Sequence, residues 1–134
     1  MDTQGDQVID FIETFLTLGG SFYGEPFEVL DFQRDIIRDV YKTDKDGRRL
    51  HRTYLLGLPR KNAKTTLAAA LGVFHLVADQ ADKAPVAIAA AGDTQQARLA
   101  FAEVRRMISL SHHPPYVSAL SSSETRVHPT RLAI

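Results

Sequence analysis

The sequence predicts an α/β fold of three layers, with helices on both faces of an incomplete parallel sheet and two further helices ahead of it. Three observations carry that expectation. Short apolar runs at 54–56 (YLL) and 86–91 (VAIAAA) are each followed by a helix-length segment, an alternation that calls for parallel strands joined by right-handed crossovers. The first run ends at Gly57 and Pro59 and leads into a basic loop, as a buried strand ending in a turn does. Ahead of both, two stretches carry apolar residues at helical spacing.

In order along the chain, residues 7–18 place Val8, Phe11, Ile12, Phe15 and Leu16 on one helical face, with Asp10, Glu13 and Thr14 turned away, and Gly19-Gly20 ends the segment. Residues 22–26 form a connector. In 27–41 (FEVLDFQRDIIRDVY), Phe32, Ile36 and Val40 line one face with Ile37 and Tyr41 beside them, and Asp31 stands where an N-cap is expected. Residues 42–49 (KTDKDGRR) read as a charged, solvated turn about Asp46-Gly47. Nothing specifies a nucleic-acid contact for Arg48, Arg49 or Arg52.

The segment from Arg60 to Thr66 (RKNAKTT) joins this turn region to an alanine- and leucine-rich helix whose one internal breaker is Gly72. Backbone N–H groups of such a loop, with the unpaired N–H groups opening the helix, make a concave site for phosphate oxygens, and the helix dipole favours the same charge. In the pattern G-x-x-x-x-G-K-[ST] the lysine reaches β and γ phosphates and the hydroxyl holds Mg²⁺. Lys64 and Thr65 occupy those two places, whereas the glycine places hold Leu58 and Ala63. A Cβ at Ala63 is costly if that residue is left-handed. On residue types alone the segment is equally explained as a solvated helix start.

Beyond it, 79–83 is polar, and Asp93 caps a helix from Thr94 to about Met107, with Gln96 at the capping-box position and a stripe of Ala97, Phe101, Val104 and Ile108. Thr94, Gln95 and Arg98 open that helix at the carboxyl edge of the expected sheet, where ligands bind, though capping and solvation explain them first. Arg105-Arg106 reads as surface. His112-His113 lacks a third ligand and is rejected as a metal site. Residues 118–134 hold two serine-rich turns and a terminal apolar run.

The run LPRKNAKTTLAAAL resembles the Walker A segment of the large terminase subunit of tailed bacteriophages, the motor that packages DNA. AAAGDTQQARLAFAEVRRMI extends the likeness, which covers roughly residues 7–110. The resemblance implies a P-loop NTPase fold. In that family the missing first glycine is usual, an arginine such as Arg60 is characteristic, and Ala63 is the departure. It also implies an adenine motif in Phe27, Leu30 and Gln33, a glutamine amide offering a donor and an acceptor to adenine. The implied site comprises Phe27, Gln33, Pro59, Arg60, Lys61, Asn62, Ala63, Lys64, Thr65 and Thr66. Within it Lys64 neutralises β/γ phosphate charge, Arg60 reaches a phosphate in cis or acts as a loop sensor, and Thr65 ligates Mg²⁺.

The implied cofactors are therefore ATP and Mg²⁺, and the implied partners are double-stranded phage DNA, a portal protein and a small terminase subunit, in an oligomeric ring. Residues 1–50 are expected to form a helical lead-in with the adenine motif, 51–110 the P-loop core and 111–134 an incomplete tail. No apolar run ending in an Asp-Glu pair follows the loop, and no nuclease domain is present. The chain accordingly reads as the front part of a longer protein, expected not to hydrolyse ATP at a motor-like rate by itself. Alternative readings are a helicase-like nucleic-acid motor and a catalytically inactive prophage remnant or binding module. Sixteen Lys plus Arg balance sixteen Asp plus Glu, so no global charge advertises nucleic acid. The absence of cysteine, of a basic signal peptide and of an apolar stretch near ~18 residues reads as cytosolic, which the resemblance implies is the cytosol of the bacterial host.

Overall fold

The computed structural model describes residues 3–18, 22, 24–61, 63–78 and 90–110. Four helices follow one another: α1 (Gln4–Phe15), α2 (Asp31–Val40), α3 (Lys64–Val77) and α4 (Thr94–Leu110). Among the described residues there is no strand, and extended pairing is limited to two isolated antiparallel bridges, Thr17 with Pro26 and Thr43 with Arg49. The three-layer α/β expectation is thereby corrected to a helical assembly. An apolar run becomes a strand only when a neighbour takes up its N–H and C=O groups, and no described segment runs beside 54–56. Tyr54 is instead 40% exposed and Leu55 97% exposed. Of the other expected strand, residues 86–89 lie outside the described residues.

Helix α1 begins earlier than its apolar periodicity suggests because a capping box starts it. Thr3 Oγ1 accepts the Asp6 N–H at 3.2 Å, and Asp6 Oδ2 accepts the Thr3 N–H at 3.1 Å. It ends where Leu16 turns extended while still donating to Ile12 O. Gly19 and Gly20, expected to end it, lie outside the described residues. The chain then doubles back, with Leu18 N–H donating to Glu25 O and Phe27 N–H to Leu16 O. Asp31 is the first helical residue of α2 and not its cap; Leu30 holds the cap position, and Gln33 Oε1 accepts its N–H at 3.0 Å.

Helices α1 and α2 pack closely enough that a Cβ on Gly5 would lie 2.7 Å from the Cα of Arg38. Arg38 pairs with Asp6 at 2.9 Å. Arg34 pairs with Glu13, whose Oε1 also accepts the Val29 N–H. The core lies where α1, α2 and α3 converge: Val8, Ile9, Phe11 and Ile12 meet Ile37, Tyr41, Leu67, Val73 and Phe74. Phe74 meets Phe11 and Tyr41 edge-on, with ring centroids 5.5 and 5.9 Å apart. Burial of one such side chain contributes about 1.5–3 kcal/mol. Helix α4 adds Val104 and Met107 against α3. Met107 was not part of the stripe expected from sequence, whereas Phe101 and Ile108 are only half-buried.

Candidate functional site

The loop ahead of α3 is held by conformation more than by packing. Lys61 (φ 66°) and Ala63 (φ 54°, ψ 30°) are both left-handed, a region that costs a non-glycine residue roughly 1–2 kcal/mol. Ala63 O then accepts the Leu67 N–H at 2.9 Å and so closes the first turn of the helix. The N–H groups of that first turn have no partner within the helix, and the dipole places partial positive charge there. A left-handed residue opening a helix, with a lysine at the first helical position, is thus an arrangement that can hold an anion.

Lys64 is turned back over this loop. Its Nζ donates to Leu58 O at 2.5 Å, the carbonyl of the place where the first glycine of the phosphate-loop pattern would stand. Pro59, Arg60, Lys61 and Thr65 are exposed and Thr66 is half-buried. Asn62 lies outside the described residues. The extended segment leading to the loop is tethered to α2 by Tyr54 Oη, which donates to Asp39 Oδ2 at 2.9 Å. That bond to a carboxylate raises the Tyr54 pKa above the usual phenol value, with partial desolvation and the Asp39 charge adding to it.

A cleft of about 590 Å³ opens beside the start of α3. It brings together four of the residues expected from sequence, Phe27, Gln33, Ala63 and Thr66, along with Leu30 of the expected adenine motif. Pro59, Arg60, Lys61, Lys64 and Thr65 are not among its lining residues and belong to the loop at its side. Gln33 is 3% exposed, and one lone pair of its Oε1 is committed to Leu30 N–H. Phe27 is buried in the core.

A further lining residue comes from α4, whose Glu103 the sequence reading does not single out and whose Arg105-Arg106 pair it takes as surface. Glu103 lines the cleft and accepts a forked pair of hydrogen bonds from Arg106, at 2.6 Å from Nη2 and 3.2 Å from Nε. Arg106 Nη2 also reaches Thr17 O at 3.1 Å, so Arg106 is not a solvated surface residue. Thr17 Oγ1 and Arg106 Nη1 are buried without a hydrogen-bond partner among the described residues. The i,i+3 spacing of Glu103 and Arg106 beside Val104 and Met107 was the available signal, but the partner at Thr17 is 89 positions away and invisible to it. Among the described residues the charged ones lining the cleft are all acidic, Glu25, Glu28 and Glu103. The cations sit on the loop.

The chain matches the family described as terminase large subunit, ATPase domain, over residues 31–130, and it belongs to that family. Over 110 residues it is 33% identical to a protein described as "Terminase, large subunit" from Enterobacteria phage HK97, an alignment that takes in 81% of this chain and 21% of that protein. The chain therefore spans about a fifth of that relative's length. No solved structure matches. Among the described residues no helix is long and apolar enough to cross a membrane.

Proposed function

We propose that this chain is the nucleotide-binding part of a phage DNA-packaging motor, binding ATP with Mg²⁺ at the loop 58–66 and the adjoining cleft. The observation that carries the reading is the left-handed Ala63 at the start of α3, set between Lys64 and a cleft that also contains Gln33 and Thr66. The residues fit the group. The first-turn N–H groups suit phosphate oxygens, the cleft volume lies within the ~300–1,000 Å³ of ordinary ligand sites, and an exposed Thr65 hydroxyl offers an oxygen to a hard cation. Bound there, ATP with Mg²⁺ supplies the phosphoryl group whose transfer drives movement of DNA.

In this reading Lys64 leaves Leu58 O and turns to the β and γ phosphates, a charge-assisted contact taking the place of the one inside the loop. Thr65 presents its hydroxyl to the metal, Arg60 reaches a phosphate, and Pro59, Lys61 and Asn62 shape the loop. Gln33 reads the base with its remaining lone pair and amide N–H groups, alongside Phe27. Membership of the terminase large-subunit family supports double-stranded phage DNA, a portal protein and a small terminase subunit as partners, and a ring assembled in the host cytosol belongs to the same proposal. Residues 1–50 are the lead-in, 51–110 the nucleotide-binding core and 111–134 the tail.

The test is calorimetric titration of the chain with a non-hydrolysable ATP analogue and Mg²⁺, beside Lys64→Ala. Saturable binding, weakened at least about tenfold by loss of a charged partner, supports the reading. Absence of binding to the unaltered chain, or equal binding by Lys64→Ala, overturns it.

A further inference from the structure

We infer that Glu103, clamped by Arg106, is a specificity-determining residue of this cleft that accepts a hydrogen bond from a neutral donor of the bound nucleoside, a ribose hydroxyl or the exocyclic amine of the base. The inference rests on the proposed function and adds a recognition residue to it. Three observations carry it. Glu103 shares the cleft with Gln33, Ala63 and Thr66, although it comes from α4 and they come from the α2 and α3 side. Its carboxylate is fixed by two hydrogen bonds from Arg106, itself anchored on Thr17 O. Both side chains are largely withdrawn from water, 18% exposed for Arg106 and 22% for Glu103.

The chemistry then sorts the ligand. Each carboxylate oxygen has two lone pairs, and Arg106 uses one of each. The remaining pairs can receive donors but repel anions, and the other charged lining residues, Glu25 and Glu28, repel them too. Phosphates therefore belong at the loop with Lys64, and the uncharged nucleoside belongs in the cleft. A fixed, half-desolvated carboxylate left facing a ligand without a donor loses a hydrogen bond it made to water, which is how a site rejects an analogue lacking one hydroxyl or amine. Arg106 acts through Glu103 and is a positioning residue.

Calorimetric titrations of the chain and of Glu103→Gln with ATP, 2′-deoxy-ATP, 3′-deoxy-ATP and the 6-deamino purine triphosphate separate the sources of the donor. Glu103→Gln is expected to weaken ATP binding about tenfold, the loss of a charged acceptor, and to cost nothing further for the analogue that lacks the donor Glu103 contacts. Arg106→Ala, verified as folded by circular dichroism, is expected to shrink the same ATP-to-analogue ratio, and Arg106→Lys to restore part of it. An equal loss for all four ligands, or none, overturns the inference while leaving the nucleotide site standing. Failure of the unaltered chain to bind any of them removes both.

Discussion

Helices α1 and α2 and the segment 50–63 are close in sequence but held in different ways. In the helical pair charged and aromatic side chains are matched: Thr3 with Asp6, Asp6 with Arg38, Glu13 with Arg34, and Phe11 with Phe74 across to α3. In the segment Leu50 is 51% and Leu55 97% exposed, two residues are left-handed without being glycine, and the loop's described closure is a lysine bonded to the chain's own carbonyl. Packing fixes the first region whatever is bound. The second holds strain and charge that a ligand can redirect.

The largest effect is expected from striking the packed side. Phe74 is 6% exposed and touches Phe11, Tyr41 and His75, so Phe74→Ala is expected to lose about 3–5 kcal/mol in urea denaturation, as buried aromatic truncations do. For a small domain that is a large part of its stability, and nucleotide binding is expected to fall with it because α3 carries both. A loss below about 1 kcal/mol, the size of a surface effect, would mean that the three helices do not converge on this ring.

Lys64→Ala is expected to give the opposite pattern. Binding should weaken by about 1.5–3 kcal/mol, the range for a hydrogen bond to a charged group, while the denaturation midpoint stays within the ~0.5 kcal/mol typical of surface changes. If stability falls together with affinity, the contact to Leu58 O holds the fold and the two regions are not separable in the way their packing suggests.

How much of this was legible in the sequence follows the same division. Helical periodicity located α1, α2 and α4, because an amphipathic face repeats over many residues, whereas α3 was legible from its alanine- and leucine-rich composition. It missed the start of α1, which depends on two polar side chains, and mistook Asp31 for a cap because Gln33 takes that part by accepting the Leu30 N–H. The run 54–56 misled because apolar character alone does not separate a paired strand from an exposed extended segment. Ala63 was legible as a left-handed position because the phosphate-loop pattern puts glycine there. Glu103 was not, since its place on the cleft depends on α4 lying against α3 and on Arg106 reaching back to Thr17.

Ala63→Gly sharpens the loop side. With φ already at 54°, replacing alanine by glycine relieves a folded-state strain of up to about 1 kcal/mol, so urea stability is expected to be kept or to rise by up to that amount while affinity for an ATP analogue is kept. A large loss on calorimetric titration would mean that the Ala63 methyl packs against the ligand, which the cleft lining permits, and that side-chain contact outweighs backbone strain there.

The smallest effect separates the regions by pH. Asp6 accepts from the Thr3 hydroxyl first, then from Arg38 and from the Thr3 backbone, and these bonds lower its pKa from 3.8 to about 2. A carboxylate depressed in the folded state gives stability that is complete above its unfolded pKa and is lost as pH falls through the folded one. The window is therefore about pH 4 down to 2. Since the pair lies in water, it is screened by salt and contributes modestly. Urea midpoints of the chain and of Asp6→Asn are expected to differ at pH 6 in low salt and to converge toward pH 2, with the difference reduced in high salt. A difference that persists undiminished at pH 2 would assign the effect to the neutral hydrogen bonds of the Thr3 capping box, and the α1–α2 clamp would then rest on close packing at Gly5 instead of on charge.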